Sequence, residues 1–214
     1  MFKRAAAACL AALVMSVPSA AQEKPYTFTI GGAVVGPLSD SADRFSTGFG
    51  FTAGVTWHVN EQIGLSGDYV WSALGKKDDW AGLVASRPVE VTPRIQFGTI
   101  SVRFQAPPAK ARLYALGGVG LYRRTVAMAT TGSGDITVCD PWWFVCTSGP
   151  VSVGSVNRTR ASNDVGINVG AGMIAGRFFA EIRYHYIWGP SFDTPGGTQK
   201  ATGKFLPLTL GIVF

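Results

Sequence analysis

The sequence predicts an all-β chain, closed into a single antiparallel up-and-down transmembrane barrel of about eight strands. Three observations predict it. Composition is the first: charged residues make up 15% of the 214, against ~25% in a soluble domain. Glycine is abundant, at 27 residues, where an average of ~7% applies. The second is an N-terminal export leader followed by no apolar run long enough for a membrane helix. The third is a series of ten-residue segments with period-two alternation, the mark of strands with one apolar face. A closed barrel is the other fold that satisfies every backbone polar group within lipid.

The leader comes first in the chain. "MFKRAAAACLAALVMSVPSAAQ" carries Lys3 and Arg4, an apolar stretch from Ala5 to Val17, and a small-residue site at Ser19-Ala20-Ala21. It reads as a secretory signal peptide over residues 1–21, leaving a barrel domain over 22–214. Lys3 and Arg4 leave with it, lowering the net charge from +6 to +4. Cys9 stands at the front of the apolar region, the wrong place for a lipid anchor.

The strands then follow in order. "YTFTIGGAVVG" (26–36) alternates through Phe28, Ile30 and Val34. "GFGFTAGVTWH" (48–58) sets Phe49, Phe51, Val55 and Trp57 against Gly50, Thr52, Gly54 and Thr56. After the short turn "VNEQ", "IGLSGDYVWSA" (63–73) opposes Leu65, Tyr69 and Trp71 to Ser66 and Asp68. A polar stretch over 74–92 reads as a loop. In "PRIQFGTISVRFQ" (93–105), Ile100, Val102 and Phe104 oppose Thr99, Ser101 and Arg103. "APPAK" is a turn, since its two prolines forbid pairing. "ARLYALGGVGLYRRTVAMA" (111–129) is a long strand whose faces the pattern leaves open. Residues 130–161 read as the longest loop, or as two further strands (ten in all) if 134–156 enters the membrane. "SNDVGINVGAGMIAG" (162–176), "RFFAEIRYHYIWG" (177–189) and "FLPLTLGIVF" (205–214) alternate again, with "PSFDTPGGTQKATG" as a loop before the last. Long and short connections alternate, which puts the short turns in the periplasm and the long loops outside.

Alternation does not by itself say which face meets lipid, because a soluble ligand-binding barrel is apolar inside. Face chemistry decides. A water-facing side should be rich in Lys and Glu; this one carries Gly, Ser, Thr and Asn with isolated charges, as a cramped lumen requires. Tyr26, Trp57, Trp71, Trp188 and Phe214 stand near segment ends, like interfacial aromatic girdles. Asp68, Arg103, Glu181 and Arg183 are therefore expected inside. An Arg facing lipid at mid-depth costs ~2–4 kcal/mol, and an inward one needs a carboxylate partner. A structural ion-pair network is the plainer reading of these four; a proton or ion pathway is the sharper one.

Cys139 and Cys146, in "CDPWWFVC", are expected to form a disulfide in an oxidising compartment. They would pinch a hairpin that offers Trp142, Trp143 and Phe144 for loop interactions, or folds them onto the barrel mouth. Arg123, Arg124, Arg158 and Arg160 flank this loop at the expected outer rim, where lipopolysaccharide phosphates could pair with guanidinium groups. Asp135, Asp140 and Asp164 compete for them locally. The cysteines have no neighbouring His to complete a zinc site. "GGVGLY" and "GGAVVG" lack the lysine and helix of a nucleotide loop.

With the leader, the eight amphipathic segments and "DVGINVGAGM", "FFAEIRYHY" and "LPLTLGIVF" in view, the chain resembles bacterial outer-membrane barrels of the OmpA-transmembrane-domain and OmpX type. The resemblance spans the mature chain and rests on pattern rather than on a catalytic motif. It implies that the last strand with its terminal Phe214 is the signal read by the barrel-assembly machinery. No peptidoglycan-binding domain follows, so no cell-wall tether is implied. Some small barrels of this kind are lipid A deacylases with a Ser two residues after a His; here Ile187 stands at that distance from His185.

The expectation is an integral protein of the bacterial outer membrane, with a structural or surface-interaction role through its extracellular loops. A narrow porin-like channel for small solutes is the alternative. No enzymatic activity, cofactor or metal is expected. Expected partners are outer-membrane lipid and lipopolysaccharide, the assembly machinery, and an extracellular ligand or protein; nucleic acid is not a sensible partner for an exported barrel.

Overall fold

The computed structural model describes residues 25–77, 89–131, 134–140, 142, 145–151, 155–194 and 197–214. The expected leader lies outside them, as do Trp143 and Phe144. Among these described residues twelve strands follow one another: β1 (Tyr26–Pro37), β2 (Phe45–His58), β3 (Ile63–Lys76), β4 (Val89–Gln105), β5 (Ala111–Thr131), β6 (Gly134–Asp140), β7 (Val145–Val151), β8 (Ser155–Ala175), β9 (Phe178–Trp188), β10 (Ser191–Thr194), β11 (Gly197–Lys200) and β12 (Gly203–Val213). Eight of them close into a barrel in the order β1-β2-β3-β4-β5-β8-β9-β12, with β12 returning to β1. The pairs β6–β7 and β10–β11 form separate two-stranded sheets.

Each short turn has a local cause. Between β2 and β3 the Asn60 carboxamide oxygen accepts from the Gln62 and Ile63 amides, at 2.9 and 2.7 Å. Pro107 and Pro108 end β4. Gly176, at φ +59, makes the two-residue connection from Ala175 to its partner Phe178, a left-handed conformation that glycine adopts without a Cβ penalty. Closure runs from Thr29↔Val213 to Pro37↔Phe205. The Phe214 amide then donates to the Phe28 carbonyl at 2.9 Å, so the last residue is held in the seam. On the other side of β12 the ladder to β9 is interrupted at Leu206 and Pro207, where proline has no N–H to give.

The two faces of the sheet differ as the alternation predicts. Phe28, Phe49, Ile100, Leu121, Val169 and Leu210 are exposed on the outside, Phe49 by 69%. Thr56, Ser66, Ser72, Thr99 and Ser101 are buried within. The strand whose faces the sequence leaves open, β5, turns Leu113, Val119 and Leu121 outward and buries Tyr114, Leu116, Tyr122, Arg124 and Val126.

The structure departs from the sequence reading in the outer connections. Residues 130–161 are largely strand rather than loop, and 134–151 is a hairpin standing apart from the barrel sheet. The barrel thus has eight strands, not ten. β5 and β8 pair as far as Thr131↔Ser155, and β4 accompanies β5 to Val89↔Thr130. β9 joins β8 only from Val165 onward. The ten residues of β8 before that point extend roughly 30 Å at ~3.4 Å each. Since ~9–11 residues cross a membrane, this three-stranded arm projects outside. The stretch after β9, also read as loop, contains the β10–β11 hairpin.

Candidate functional site: the filled lumen and the hairpin above it

Side chains two apart on a strand share a face, so β9 delivers Glu181, Arg183 and His185 together into the lumen. Arg183 is the centre. Its Nε donates to Glu181 Oε1 at 2.8 Å and its Nη2 lies 2.6 Å from the same oxygen. Its Nη1 donates to Asp68 Oδ2 and to Thr99 Oγ1, each at 3.0 Å. Tyr114 donates its hydroxyl to Glu181 Oε2 at 3.0 Å, and Arg103 Nη2 stands 3.8 Å from that oxygen. The Arg103 guanidinium also covers the Tyr114 ring, 4.2 Å from its centroid. All four charged residues expected inside are thus brought into one cluster of two cations and two anions. Neutrality of this kind is what allows buried charges to persist, because a lone one is strongly destabilising.

Above this cluster the lumen becomes apolar. Phe97 packs on Tyr122 at 5.3 Å and on His185 at 4.6 Å between ring centroids. The Tyr122 hydroxyl lies 2.7 Å from His185 Nδ1. Between the ionic cluster and this aromatic layer is a cavity of about 10 Å³, lined by Asp68, Thr52, Arg183 and His185 among others. That is room for about one water. Val35, Phe45, Leu74, Ile95, Val126, Ile187 and Phe205 continue the filling toward the outer mouth.

The mouth is covered by a residue from the hairpin. Trp142, between β6 and β7, is 2% exposed. Its ring packs on Phe45 at 4.3 Å and Phe205 at 5.9 Å, and its indole N–H donates to the Thr125 carbonyl at 3.4 Å. Of the two placements the sequence allows, Trp142 takes the one folded onto the barrel; it is not an exposed contact residue. Arg124 lies 5.3 Å from the Trp142 ring centroid. It donates from Nε to Asp164 Oδ2 at 2.8 Å and from Nη1 to the Ala201 carbonyl at 2.9 Å. Ser162 donates to the same Asp164 oxygen at 2.7 Å. The sequence places Arg124 at the rim within reach of lipopolysaccharide, but it is fully buried, and its pair with Asp164 is the local competition that the sequence also allows. Arg44, before β2, donates from Nε to the Asp40 carbonyl at 3.0 Å. Burial lowers its pKa to about 10 against the opposing pull of Asp40 and Asp43.

Cys139 and Cys146 are register partners in the β6–β7 hairpin. Sequence reasoning missed Tyr114 and Tyr122, and it left Arg124 at the rim rather than inside. One signal was present: Arg123 and Arg124 are adjacent in a strand, so one of them must face inward. Among the described residues no group of three or more His, Cys, Asp or Glu could hold a metal ion. Ile187, two residues after His185, is fully buried in the apolar filling.

Residues 7–214 match the family described as outer membrane protein beta-barrel domain. Among solved structures, Ail, the attachment invasion locus protein of Yersinia pestis, is 14% identical with a TM-score of 0.49, over 88% of this chain and 97% of its own. Neisserial surface protein A is 11% identical with a TM-score of 0.48, over 89% and 96%. The N-terminal β-barrel domain of Pseudomonas aeruginosa OprF is 12% identical with a TM-score of 0.43, over 90% and 100%. No curated protein matches the chain. With its match across nearly the whole length, its greasy outer face and its closed eight-strand sheet, this chain belongs to the outer membrane protein β-barrel family and is an integral protein of the bacterial outer membrane.

Proposed function

We propose that this protein is a closed scaffold that presents its β4–β5–β8 arm and β6–β7 hairpin to a ligand or protein outside the cell. The observation that carries this reading is the contrast between a packed lumen and an arm far longer than the membrane requires. Function in such a protein resides where the chain is accessible and variable in shape, which is the arm. A conducting pore has less support, because among the described residues the ionic cluster and the Phe97–Tyr122–His185 layer fill the lumen around a cavity of about 10 Å³. An enzymatic role has less support too, since the residue two positions after His185 is Ile187, buried in the apolar filling.

Several further roles belong to this reading. Residues 1–21 direct export and are removed. Phe214, exposed to lipid at the seam, is the signal for the assembly machinery. Cys139 and Cys146 form a disulfide that fixes the hairpin, and Trp143 and Phe144 are its contact residues. Arg123, exposed at the rim, pairs with lipopolysaccharide phosphate. Cells displaying the full chain, or a chain with 134–151 replaced by a short turn, can be compared on an immobilised array of glycans and matrix proteins. Binding by the full chain and loss in the shortened one is expected; equal binding by both contradicts the proposal.

A further inference from the structure

The periplasmic end of the lumen holds a second cavity, of about 440 Å³, unrelated to the arm. That volume lies within the ~300–1,000 Å³ typical of small-molecule sites. Its lining includes Arg103, Lys110 and Arg112, together with His58, Gln105 and Thr27, and contains no carboxylate. A polar belt organises the wall. Arg112 Nη1 donates to Gln105 Oε1 at 3.2 Å, Gln105 Nε2 lies 3.5 Å from His58 Nδ1, and His58 Nε2 lies 2.7 Å from Thr27 Oγ1.

Arg103 forms the inner wall. It is 3% exposed, yet its Nε has no hydrogen-bond partner among the described residues. Glu181, its ion-pair partner among the described residues, is already engaged by Arg183 and Tyr114 at shorter distances. A buried N–H donor on a permanent cation costs stability unless something accepts from it. Arg103 also lines the 10 Å³ cavity behind it, so its side chain stands between the two spaces.

We infer that the periplasmic vestibule binds a phosphate-type oxyanion, which accepts hydrogen bonds from Arg103 on the inside and from Lys110 and Arg112 at the rim. The anion is either free phosphate or the headgroup phosphate of a phospholipid in the periplasmic leaflet, which lies at the level of the opening.

The test follows the arginine Nε–Hε resonances of the full barrel by NMR in maltoside micelles, which contain no phosphate. Inorganic phosphate is added at ionic strength held constant with chloride. Saturable shifts at Arg103 and Arg112 that chloride does not produce are expected. The Lys110→Gln change, at an exposed turn residue, and the Arg112→Gln change should each weaken the response about tenfold or more, the loss of a charge-assisted hydrogen bond. Heat-modifiable gel migration checks that both variants fold. A second sample in phosphatidylglycerol nanodiscs, with no phosphate added, assigns the source. Shifted resonances there identify the headgroup, and shifts in micelles alone identify the free anion. Unshifted resonances in both media, or a double variant that titrates like the native chain, would overturn the proposal.

Discussion

The two halves of the lumen are built from the same alternating strand positions but from opposite chemistry. Toward the periplasm, Asp68, Arg103, Glu181 and Arg183 hold the wall together by charge, across strands β3, β4 and β9. Toward the exterior, Phe45, Phe205, Val126 and their neighbours fill the space by packing, and Trp142 closes it from a hairpin that is not part of the barrel sheet. One half is sealed by the barrel itself, the other by something laid on it. Removing a part should therefore damage the barrel in the first case and only the cover in the second.

The largest effect belongs to Arg183→Met. It leaves Asp68 and Glu181 buried without their main cation, a loss of ~3–5 kcal/mol. Urea unfolding of the barrel in lipid vesicles measures it, and a change under ~1 kcal/mol would show that the cluster does not hold the wall. Trp142→Ala comes next. Deleting a buried indole costs about 3 kcal/mol, here drawn from docking of the hairpin. Amide exchange in β6 and β7 should rise about a hundredfold while the urea midpoint moves less than in Arg183→Met. An equal shift of both would erase the distinction between the halves.

The smallest effect is expected from Cys139→Ser with Cys146→Ser. Their hairpin is a separate sheet, so the barrel midpoint should stay within ~0.5 kcal/mol. A thiol-reactive mass tag should label the native pair only after reduction; labelling of the unreduced protein would show free thiols.

What the sequence reveals about this molecule follows the membrane. Within the bilayer, lipid on one side and a narrow lumen on the other impose alternation, so the outward face of Ile100, Val102 and Phe104 is readable from the chain alone. The lumen side of Arg103 and Arg183 follows from the cost of a cation in hydrocarbon. Beyond the bilayer no lipid imposes alternation, and the arm at 130–161 reads as loop. Strand β5 is obscure for another reason: Tyr114 and Tyr122 are aromatic yet face inward, because Glu181 and His185 give their hydroxyls partners. Such pairings require the β5–β8–β9 register, which no local pattern encodes. The descent of Trp142 is likewise a tertiary fact.

A lumen filled at both levels should carry no current. Across a planar bilayer containing the folded, full-length barrel, no discrete openings are expected under an applied potential. Regular, stepwise conductance from the native protein would contradict it.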